Sequence, residues 1–209
     1  GASGSKLQVF ESKTSKRVEL SLCIASFISE EATKSAAPIV GSLPVDVKNA
    51  TVEQNLKAVE LVLAEDGIDI GLNILWGNIG DTEDSLKKGV DFIKKYNTYK
   101  SIRTIRPPTP YPGSGLYYTA VEKGLLKGPA DFFDKFKNSD LYLVNFTEIP
   151  SKRFYECLLE ANKELIFDHF RHTDGNMQEA EDLVNSFKGL YDGKLKVFRG
   201  ARNYGKKNK

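Results

Sequence analysis

The stretch NILWGNIGDTEDSLKKGVDFIKKYNTYKSIRTIRPPTPYPGSGLYYTAVEKGLL, residues 73–126, decides the predicted fold of this chain. An apolar run over residues 68–76 ends at the glycine-containing loop 77–80, and a helical pattern follows over residues 82–95. A second β-rich run, residues 101–106, leads into a turn of prolines and a glycine that opens another helix. The order strand, loop, helix, strand, loop, helix is typical of a parallel sheet with crossover helices.

This order predicts an α/β fold. We expect either a partial (β/α) barrel or an open, mostly parallel sheet with crossover helices, followed by a C-terminal helical extension. The chain has 209 residues, which is short for a full eight-stranded barrel of ~250 residues. Ligands bind such folds on the loops that follow the carboxyl ends of the strands. The loops over residues 77–82 and 107–114 are therefore the first place to look for a site.

The segment before this stretch begins with a helix signal. Thr51 and Gln54 form a capping box, and the apolar residues that follow share one helical face until Gly67 ends the helix. The next run, residues 68–76, is apolar enough for a parallel strand buried on both faces. Asn73 is its polar exception, and is either a hydrogen-bonded core residue or one that faces a ligand at the centre of the barrel.

The loop after this strand combines two glycines with a helix start. Gly77 and Gly80 allow a ligand to approach the backbone closely, but they equally serve a tight turn that has no ligand. Asp81 or Thr82 is predicted to cap the next helix. The loop lacks the lysine of a P-loop, so a phosphate cradle of that type is not predicted.

The run over residues 101–106 contains two arginines. Either Arg103 or Arg106 points into the barrel, where its planar paired donors would bind a ligand carboxylate, or the arginine at the strand end reaches solvent. The proline-rich segment 107–113 excludes a helix or a central strand and predicts a rigid turn. Tyr111 in this turn presents its ring to a flat ligand or covers the core.

The N-terminal part is the least regular. The run over residues 6–11 predicts a short strand, and residues 17–27 carry both strand alternation and a helical stripe, of which we favour the strand. The chain then divides into four predicted parts: residues 1–5 are a flexible lead or tag remnant, 6–48 a divergent or inserted segment, 49–146 the β/α half-barrel core, and 147–209 C-terminal helices with a basic tail.

The C-terminal part predicts two helices, at about residues 152–170 and 178–191. His169 and His172, the only histidines, lie three residues apart near the end of the first helix. Two such histidines can share a metal, but no third ligand is fixed by spacing. We favour a helix end, where the negative end of the helix dipole suits them, and no metal site is predicted.

Two further segments are interpreted as structural. Phe132, Phe133 and Phe136 are predicted to plug one end of the core rather than to bind a cofactor. The tail KVFRGARNYGKKNK, residues 196–209, is basic with interleaved aromatics, a composition that can bind nucleic acid. A solvated terminus, or one that docks on the domain, is the favoured interpretation.

Composition limits the classes of function. The formal charge of +2 gives no strong field that would favour nucleic acid or a membrane surface. No apolar run approaches the ~20 residues that cross a bilayer, and no signal peptide is visible. The two cysteines, Cys23 and Cys157, are far apart in sequence, so a disulfide framework is not expected. A reducing, cytoplasmic location is predicted.

Four segments together carry a resemblance to a known family. They are GNIGDTEDSLKKGVDFI (77–93), TPYPGSGLYYTAVEKGLL (109–126), NSDLYLVNFTEIPSKRFYECLLEANKEL (138–165) and FRGARNY (198–204). In combination they resemble the second half of the catalytic barrel of radical S-adenosylmethionine enzymes, particularly the branch often joined to a cobalamin-binding domain. In that family one strand ends in a glycine-rich loop with an acidic helix start, and the next ends in a TPYPGT-like turn. The resemblance covers roughly residues 49–204.

The resemblance implies a site for S-adenosylmethionine. In the family, a strand that ends in a Glu-Ser pair contributes polar groups to the ribose and amino-acid end of the ligand, and Glu11 and Ser12 match that pair. The residues implied to contact the ribose, the adenine edge and the carboxylate of the ligand are Glu11, Ser12, Asn73, Asn78, Gly80, Arg103, Arg106 and Tyr111.

The chain departs from the family at its metal chemistry. The family's four-iron, four-sulfur cluster is held by three nearby thiolates, in the pattern C-x-x-x-C-x-x-C. Cys23 and Cys157 cannot supply that pattern, so no iron-sulfur cluster and no catalytic residue are expected in this chain. The cobalamin motif D-x-H-x-x-G is also absent.

Three functional hypotheses remain. The first is a partial radical S-adenosylmethionine domain that contributes nucleotide and substrate contacts and is not catalytically complete alone. The second is a non-catalytic binding or interaction module, because a half barrel leaves sheet edges and an apolar face that favour a homodimer or a missing cluster-bearing half. The third, RNA binding, rests only on the basic tail and requires strongly salt-dependent binding. A membrane partner is not expected.

Overall fold

A computed structural model describes residues 8–11, 18–25, 52–65, 68–135 and 144–192. In these residues it contains three strands and six helices. The strands are β1 (Gln8–Glu11), β2 (Val18–Ala25) and β3 (Ile68–Leu75). The helices are α1 (Val52–Leu63), α2 (Glu83–Tyr96), α3 (Gly115–Glu122), α4 (Pro129–Lys135), α5 (Ser151–His172) and α6 (Met177–Tyr191). None of the helices in these ranges is both long enough and apolar enough to cross a bilayer.

The prediction of an α/β half barrel or an open, mostly parallel sheet is wrong. Across the described residues the molecule is mostly helical and contains no barrel. The three strands pair in the order β1-β2-β3, with β1 antiparallel to β2 and β2 parallel to β3. Among the described residues between 52 and 192, β3 is the one strand, and the strand it pairs with, β2, lies earlier in the chain.

The predicted second strand of the half barrel does not form. Of residues 101–106, only Arg106 pairs in β fashion, through an isolated parallel bridge to Leu75. Pro107 and Pro108 follow at once, and proline cannot donate to a sheet. The pattern therefore produces an extended segment beside β3 rather than a strand that continues the sheet.

Helix α2 shows how the local sequence fixes an element. Thr82 is its N-cap: Thr82 Oγ1 accepts from the Ser85 amide and Ser85 Oγ accepts from the Thr82 amide. The prediction that Asp81 or Thr82 caps this helix is thus confirmed for Thr82. Gly89 faces β3, and a Cβ at this position would lie 3.3 Å from Ile74 Cγ2. The helix can therefore approach the strand closely.

The main core lies between β3, α2 and α5. Trp76 stacks on Phe154 of α5, with ring centroids 4.8 Å apart and an interplanar angle of 8°. The other large members of this core, in the same order of elements, are Ile70, Leu72, Ile74, Leu86, Val90, Phe92, Ile93, Ile105, Leu158 and Leu165. Helix α5 therefore contributes to the same core as α2 and β3.

Two smaller cores complete the fold. The α3–α4 core consists of Tyr117, Ala120, Leu126, Phe132, Val144 and Phe146. The α5–α6 core consists of Ile166, Phe170, Ala180, Leu183, Phe187 and Leu190. Both C-terminal helices thus occur close to their predicted positions, and they pack against each other.

Candidate functional site

The loop at the end of β3 is organised by one buried carboxylate. Asp81 is only 3% exposed. Its Oδ2 accepts from the amides of Gly77 and Asn78, each at 2.9 Å, and its Oδ1 accepts from Ser85 Oγ at 3.0 Å. Burial raises the pKa of the Asp81 carboxyl, and these hydrogen bonds act in the opposite direction. Asp81 therefore holds the loop backbone in place through hydrogen bonds from the buried side of the loop.

Gly77 is required by both backbone and packing. Its φ of 111° lies in the region that side chains rarely adopt. A Cβ there would lie 2.8 Å from two ring atoms of Phe154. The closely approaching group at this glycine is therefore an aromatic ring of α5, where the sequence left open a ligand or a tight turn.

Three chain segments meet at the end of β3. The Trp76 amide donates to the Arg106 carbonyl at 2.9 Å, and the Arg106 amide donates to the Ile74 carbonyl at 3.3 Å. The Phe146 amide donates to the Gly77 carbonyl at 3.2 Å. The loop after β3, the segment around residue 106 and the segment leading into α5 are thus joined by backbone hydrogen bonds.

A buried side-chain amide makes hydrogen bonds to the backbone of residues 101–106 that a neighbouring strand would otherwise make. Asn162 of α5 is fully buried. Its Oδ1 accepts from the Ile105 amide at 2.8 Å, and its Nδ2 donates to the Ile105 carbonyl at 3.0 Å and to the Tyr191 hydroxyl at 2.9 Å. Sequence reasoning missed this residue, although an asparagine within the apolar stripe of a long helix was the available signal.

Arg103 also has a role inside the fold. It is 8% exposed, and its Nη2 donates to the Ile70 carbonyl of β3 at 2.7 Å. The sequence left two alternatives, an arginine that points into a barrel or one that reaches solvent. The structure places the guanidinium in a third position, against the backbone of the strand.

The other predicted contacts near β3 are placed as follows. Asn73 is exposed on β3. Asn78 is half-buried, and its Oδ1 accepts from the Ile79 amide at 2.8 Å. Gly80 has a φ of 85° in the turn that enters α2. Tyr111 is 51% exposed, with its ring 5.9 Å from that of Phe132.

The direction of β1 separates Glu11 from Asn73. Glu11 pairs with Val18 at the start of β2, whereas Asn73 pairs with Cys23 five residues further along. At about 3.3 Å per residue the two levels are roughly 16 Å apart along the sheet. Ser12 lies outside the described residues.

The residues predicted to bind S-adenosylmethionine therefore do not form one constellation. Asn73, Asn78, Gly80 and Arg106 are on, or follow, the C-terminal half of β3 and its neighbouring segment. Glu11 is at the other end of the sheet, and Arg103 contacts the strand backbone at Ile70. The donor set that the resemblance implies is only partly assembled.

A second region exposes large apolar side chains, and we call it the α3–α4 surface. Its members and exposed fractions are Tyr111 (51%), Tyr118 (52%), Val121 (37%), Leu125 (37%) and Phe133 (65%). The rings of Tyr111 and Phe133 lie 5.9 and 5.3 Å from that of Phe132, and the ring of Tyr118 lies 5.4 Å from that of Tyr117. Val121 and Leu125 each adjoin a buried member of the α3–α4 core in sequence. The predicted aromatic plug is therefore only half right, because Phe132 is buried and Phe133 is not; Phe136 lies outside the described residues.

The two histidines sit at the end of α5, as favoured from the sequence. Both lie in its last turn, and His172 Nδ1 is 2.8 Å from the Asp168 carbonyl oxygen. Across the described residues, no three side chains of His, Cys, Asp or Glu are grouped as a metal site requires. Tyr99, from the loop after α2, completes the local cluster through a hydrogen bond to Asp168 at 2.9 Å.

Comparison with protein-family models, curated proteins and solved structures finds no match to this chain. The resemblance to radical S-adenosylmethionine enzymes therefore stays a prediction.

Proposed function

We propose that this chain is a non-catalytic interaction module, and that its α3–α4 surface binds a second copy of the chain. The observation that carries the proposal is the exposure of five large apolar side chains around one small core. Single exposed apolar residues are ordinary on protein surfaces, whereas a group rimmed by polar residues is typical of an interface. Tyrosine and phenylalanine are also enriched at the centres of interfaces.

The area of the surface suits a symmetric dimer. A tyrosine or phenylalanine presents roughly 200 Å² when fully exposed, so the three half-exposed rings and two aliphatic side chains offer roughly 400 Å². A typical interface covers about 800 Å² per partner, of which a little over half is apolar. Together these five side chains expose about the apolar area that one side of such an interface contains.

The charges around the surface are balanced in sign, so two copies would not repel each other. Residues 115–135 carry three acids and three bases, namely Glu122, Asp131, Asp134, Lys123, Lys127 and Lys135. A symmetric interface places the same patch on both sides, so a patch of one sign would repel itself. A balanced set of charges allows opposite charges to pair across the two-fold axis.

The surface is also held in shape by its own backbone. Ser114 caps α3 by accepting from the Tyr117 amide, and the helix ends in a Schellman motif around Gly124, whose φ is 69°. In that motif the Leu125 amide donates to the Ala120 carbonyl at 2.8 Å. Little ordering is therefore needed on binding, which favours affinity.

Sedimentation of the purified chain tests the proposal. We expect a monomer–dimer equilibrium between about 1 and about 200 µM, and a double variant, Tyr118→Ser with Phe133→Ser, should weaken it roughly 100-fold, because aromatic anchors at interface centres cost more than 1 kcal/mol each. Leu61→Ser is the matched control, since Leu61 is 60% exposed but lies on α1. A wild-type chain that stays monomeric, or a double variant that dimerises like the control, would refute the proposal.

A second candidate is S-adenosylmethionine binding near Asn73, the function that the resemblance implies. The observation in its favour is that Asn73 is exposed two residues before the bridge between Leu75 and Arg106, at the end of β3 that leads into the glycine loop. Calorimetric titration of wild type and Asn73→Ala tests it. Saturable heat that is lost in the variant would support a nucleotide contact, and no heat at millimolar ligand would exclude it for this chain.

We also propose a reducing, cytoplasmic location for the module. Cys157 is a buried thiol outside any disulfide, and burial raises its pKa to about 11, which keeps it protonated and unreactive. A buried, unpaired thiol of this kind gains nothing from an oxidising compartment. Fractionation of cells that express the untagged chain would test the location.

A further inference from the structure

The loop after α2 is fastened to the last turn of α5 by a small polar cluster. The Tyr99 hydroxyl donates to Asp168 Oδ2 at 2.9 Å, and the Tyr99 ring stacks on the His172 ring, with centroids 4.0 Å apart and planes 10° apart. His172 Nδ1 lies 2.8 Å from the Asp168 carbonyl oxygen and 3.6 Å from its Oδ1. These contacts join two segments that are about seventy residues apart in sequence.

The Tyr99 contact is made from an unusual backbone conformation. The φ of Tyr99 is 56°, in the left-handed region that costs a non-glycine residue of order 1 kcal/mol. Its amide donates to Asn97 Oδ1 at 3.1 Å, which supports the turn. Burial, with the neighbouring Asp168, raises the pKa of Tyr99 to about 12, so the hydroxyl remains a donor across the physiological range. The Tyr99 backbone is therefore strained in this contact, whereas the protonation of its hydroxyl does not change across the physiological range.

His169, next to this cluster, has a ring nitrogen whose hydrogen-bonding capacity is not satisfied within the described part of the chain. Its Nδ1 is buried and has no hydrogen-bond partner among the described residues, although the ring itself is half-buried. Burial lowers the pKa of His169; Arg103 of the loop and His172 lower it further, and Asp168 opposes them. Among the described residues these are the charged groups that act on His169, and α6 contributes none. The Tyr99 ring faces it at 6.3 Å.

We propose that this junction is an acid-sensitive latch, in which protonation of His169 releases the loop over residues 97–103 from the end of α5. A proton on the buried Nδ1 creates a donor without an acceptor, and it places a second positive charge opposite Arg103. Opening hydrates the imidazolium and separates the two cations. The same opening withdraws Arg103 from the Ile70 carbonyl, so the latch is coupled to the edge of β3.

The sign of the effect follows from linkage. The closed state binds the His169 proton less tightly than the open state, whose histidine has the ordinary pKa of 6.5. Opening therefore increases as the pH falls below 6.5, by up to ~10-fold per pH unit for one proton, and levels off below the lowered pKa.

Hydrogen exchange of the whole chain tests the latch. Protection factors, corrected for the intrinsic exchange rate, are compared at about pH 7.5 and about pH 5.5 for wild type, His169→Phe and His172→Gln. In wild type we expect the amides of residues 97–103 to lose protection several-fold at the lower pH, while those of α3 do not change. His169→Phe keeps a buried ring without a titrating group and should abolish the loss. His172→Gln should retain it.

Wild-type titration by NMR gives a second readout that does not depend on a variant's folding. The His169 ring should titrate below pH 6.5, and the amide shifts of residues 97–103 should follow the same midpoint. A midpoint at or above 6.5, unchanged protection in wild type, or a loss that persists in His169→Phe would each overturn the proposal.

Discussion

The end of β3 and the α3–α4 surface use their side chains in opposite ways. At the end of β3, polar groups are buried and satisfied within the chain: Asp81 accepts three hydrogen bonds and Asn162 makes three. On the α3–α4 surface, large apolar side chains are exposed, Phe133 to 65%. The difference teaches that the polar residues around the glycine loop maintain the fold, whereas the apolar residues of the surface are left exposed to solvent. Substitutions at the end of β3 should therefore lower the free energy of unfolding, whereas substitutions on the α3–α4 surface should leave it nearly unchanged.

Gly77→Val should have the largest effect on stability. The variant combines a φ of 111° with a side chain forced into the Phe154 ring, so we expect a loss of about 4 kcal/mol in the free energy of unfolding or failure to fold. Urea unfolding followed by circular dichroism measures it. Gly113→Val is the matched control, because Gly113 also has a positive φ, of 92°, but a Cβ there meets no described residue within 4 Å. Equal losses in both variants would show that the backbone alone explains the requirement.

Asn162→Leu should cost about 3 kcal/mol in the free energy of unfolding, because it leaves the Ile105 amide and carbonyl without partners in a buried site. Asn185→Leu, at an exposed position of α6, should change the free energy by less than about 0.5 kcal/mol. Guanidinium unfolding of both variants makes the comparison. A small effect at residue 162 would mean that water satisfies Ile105 equally well.

Asp81→Leu should cost about 2 kcal/mol, less than the loss at Asn162, because burial of the carboxylate already opposes part of its contribution. Asp81→Asn retains an acceptor for the loop amides and should cost under about 1 kcal/mol at pH 7. The raised pKa means that the folded chain holds the Asp81 proton more tightly than the unfolded chain does. The stability that this proton contributes is present below pH 3.8 and is lost as the pH rises through the folded pKa.

The free energy of unfolding of Asp81→Asn should therefore lie closer to that of wild type at neutral pH than in acid. Unfolding free energies of the two proteins across the pH range measure the difference. A variant that falls further behind wild type as the pH rises would contradict the raised pKa.

The smallest effects on stability should come from the α3–α4 surface. Tyr118→Ser and Phe133→Ser should each change the free energy of unfolding of the monomer by less than about 0.5 kcal/mol, because these side chains are half exposed or more. Thermal unfolding at a concentration below the dimer range measures this. A loss above about 1 kcal/mol in either variant would show that the surface belongs to the core of the monomer and would remove the contrast between the two regions.

Local sequence patterns predicted much of the secondary structure. The capping residue Thr82, the helical periodicity of α2, α5 and α6, and the apolar run of β3 each depend on neighbours within a few residues, and each occurs where it was expected. The prediction for Phe132 and Phe133 failed in part because adjacent side chains on a helix point roughly 100° apart, and the sequence does not say which is inside.

The arrangement of the strands could not be predicted from local patterns. Residues 101–106 alternate as a strand does, but the amide and carbonyl of Ile105 bond to the Asn162 side chain, which is nearly sixty residues away in sequence. The direction of β1 is likewise a tertiary property, and it moves Glu11 to the opposite end of the sheet from Asn73. A site assembled from strand ends is only as predictable as the strand directions that assemble it.

The edge of β3 that faces away from β2 is covered by hydrogen bonds from Arg103 and Arg106, and this protects the sheet against aggregation. An uncovered strand edge is a template on which another extended chain can add, as in amyloid. Here the Ile70 carbonyl is capped by a guanidinium, and the backbone at Ile74 and Trp76 is paired with Arg106. Positive charge on an edge is a common natural protection against such growth. We accordingly expect no fibre growth from this edge of the sheet, and thioflavin fluorescence of concentrated samples tests that expectation.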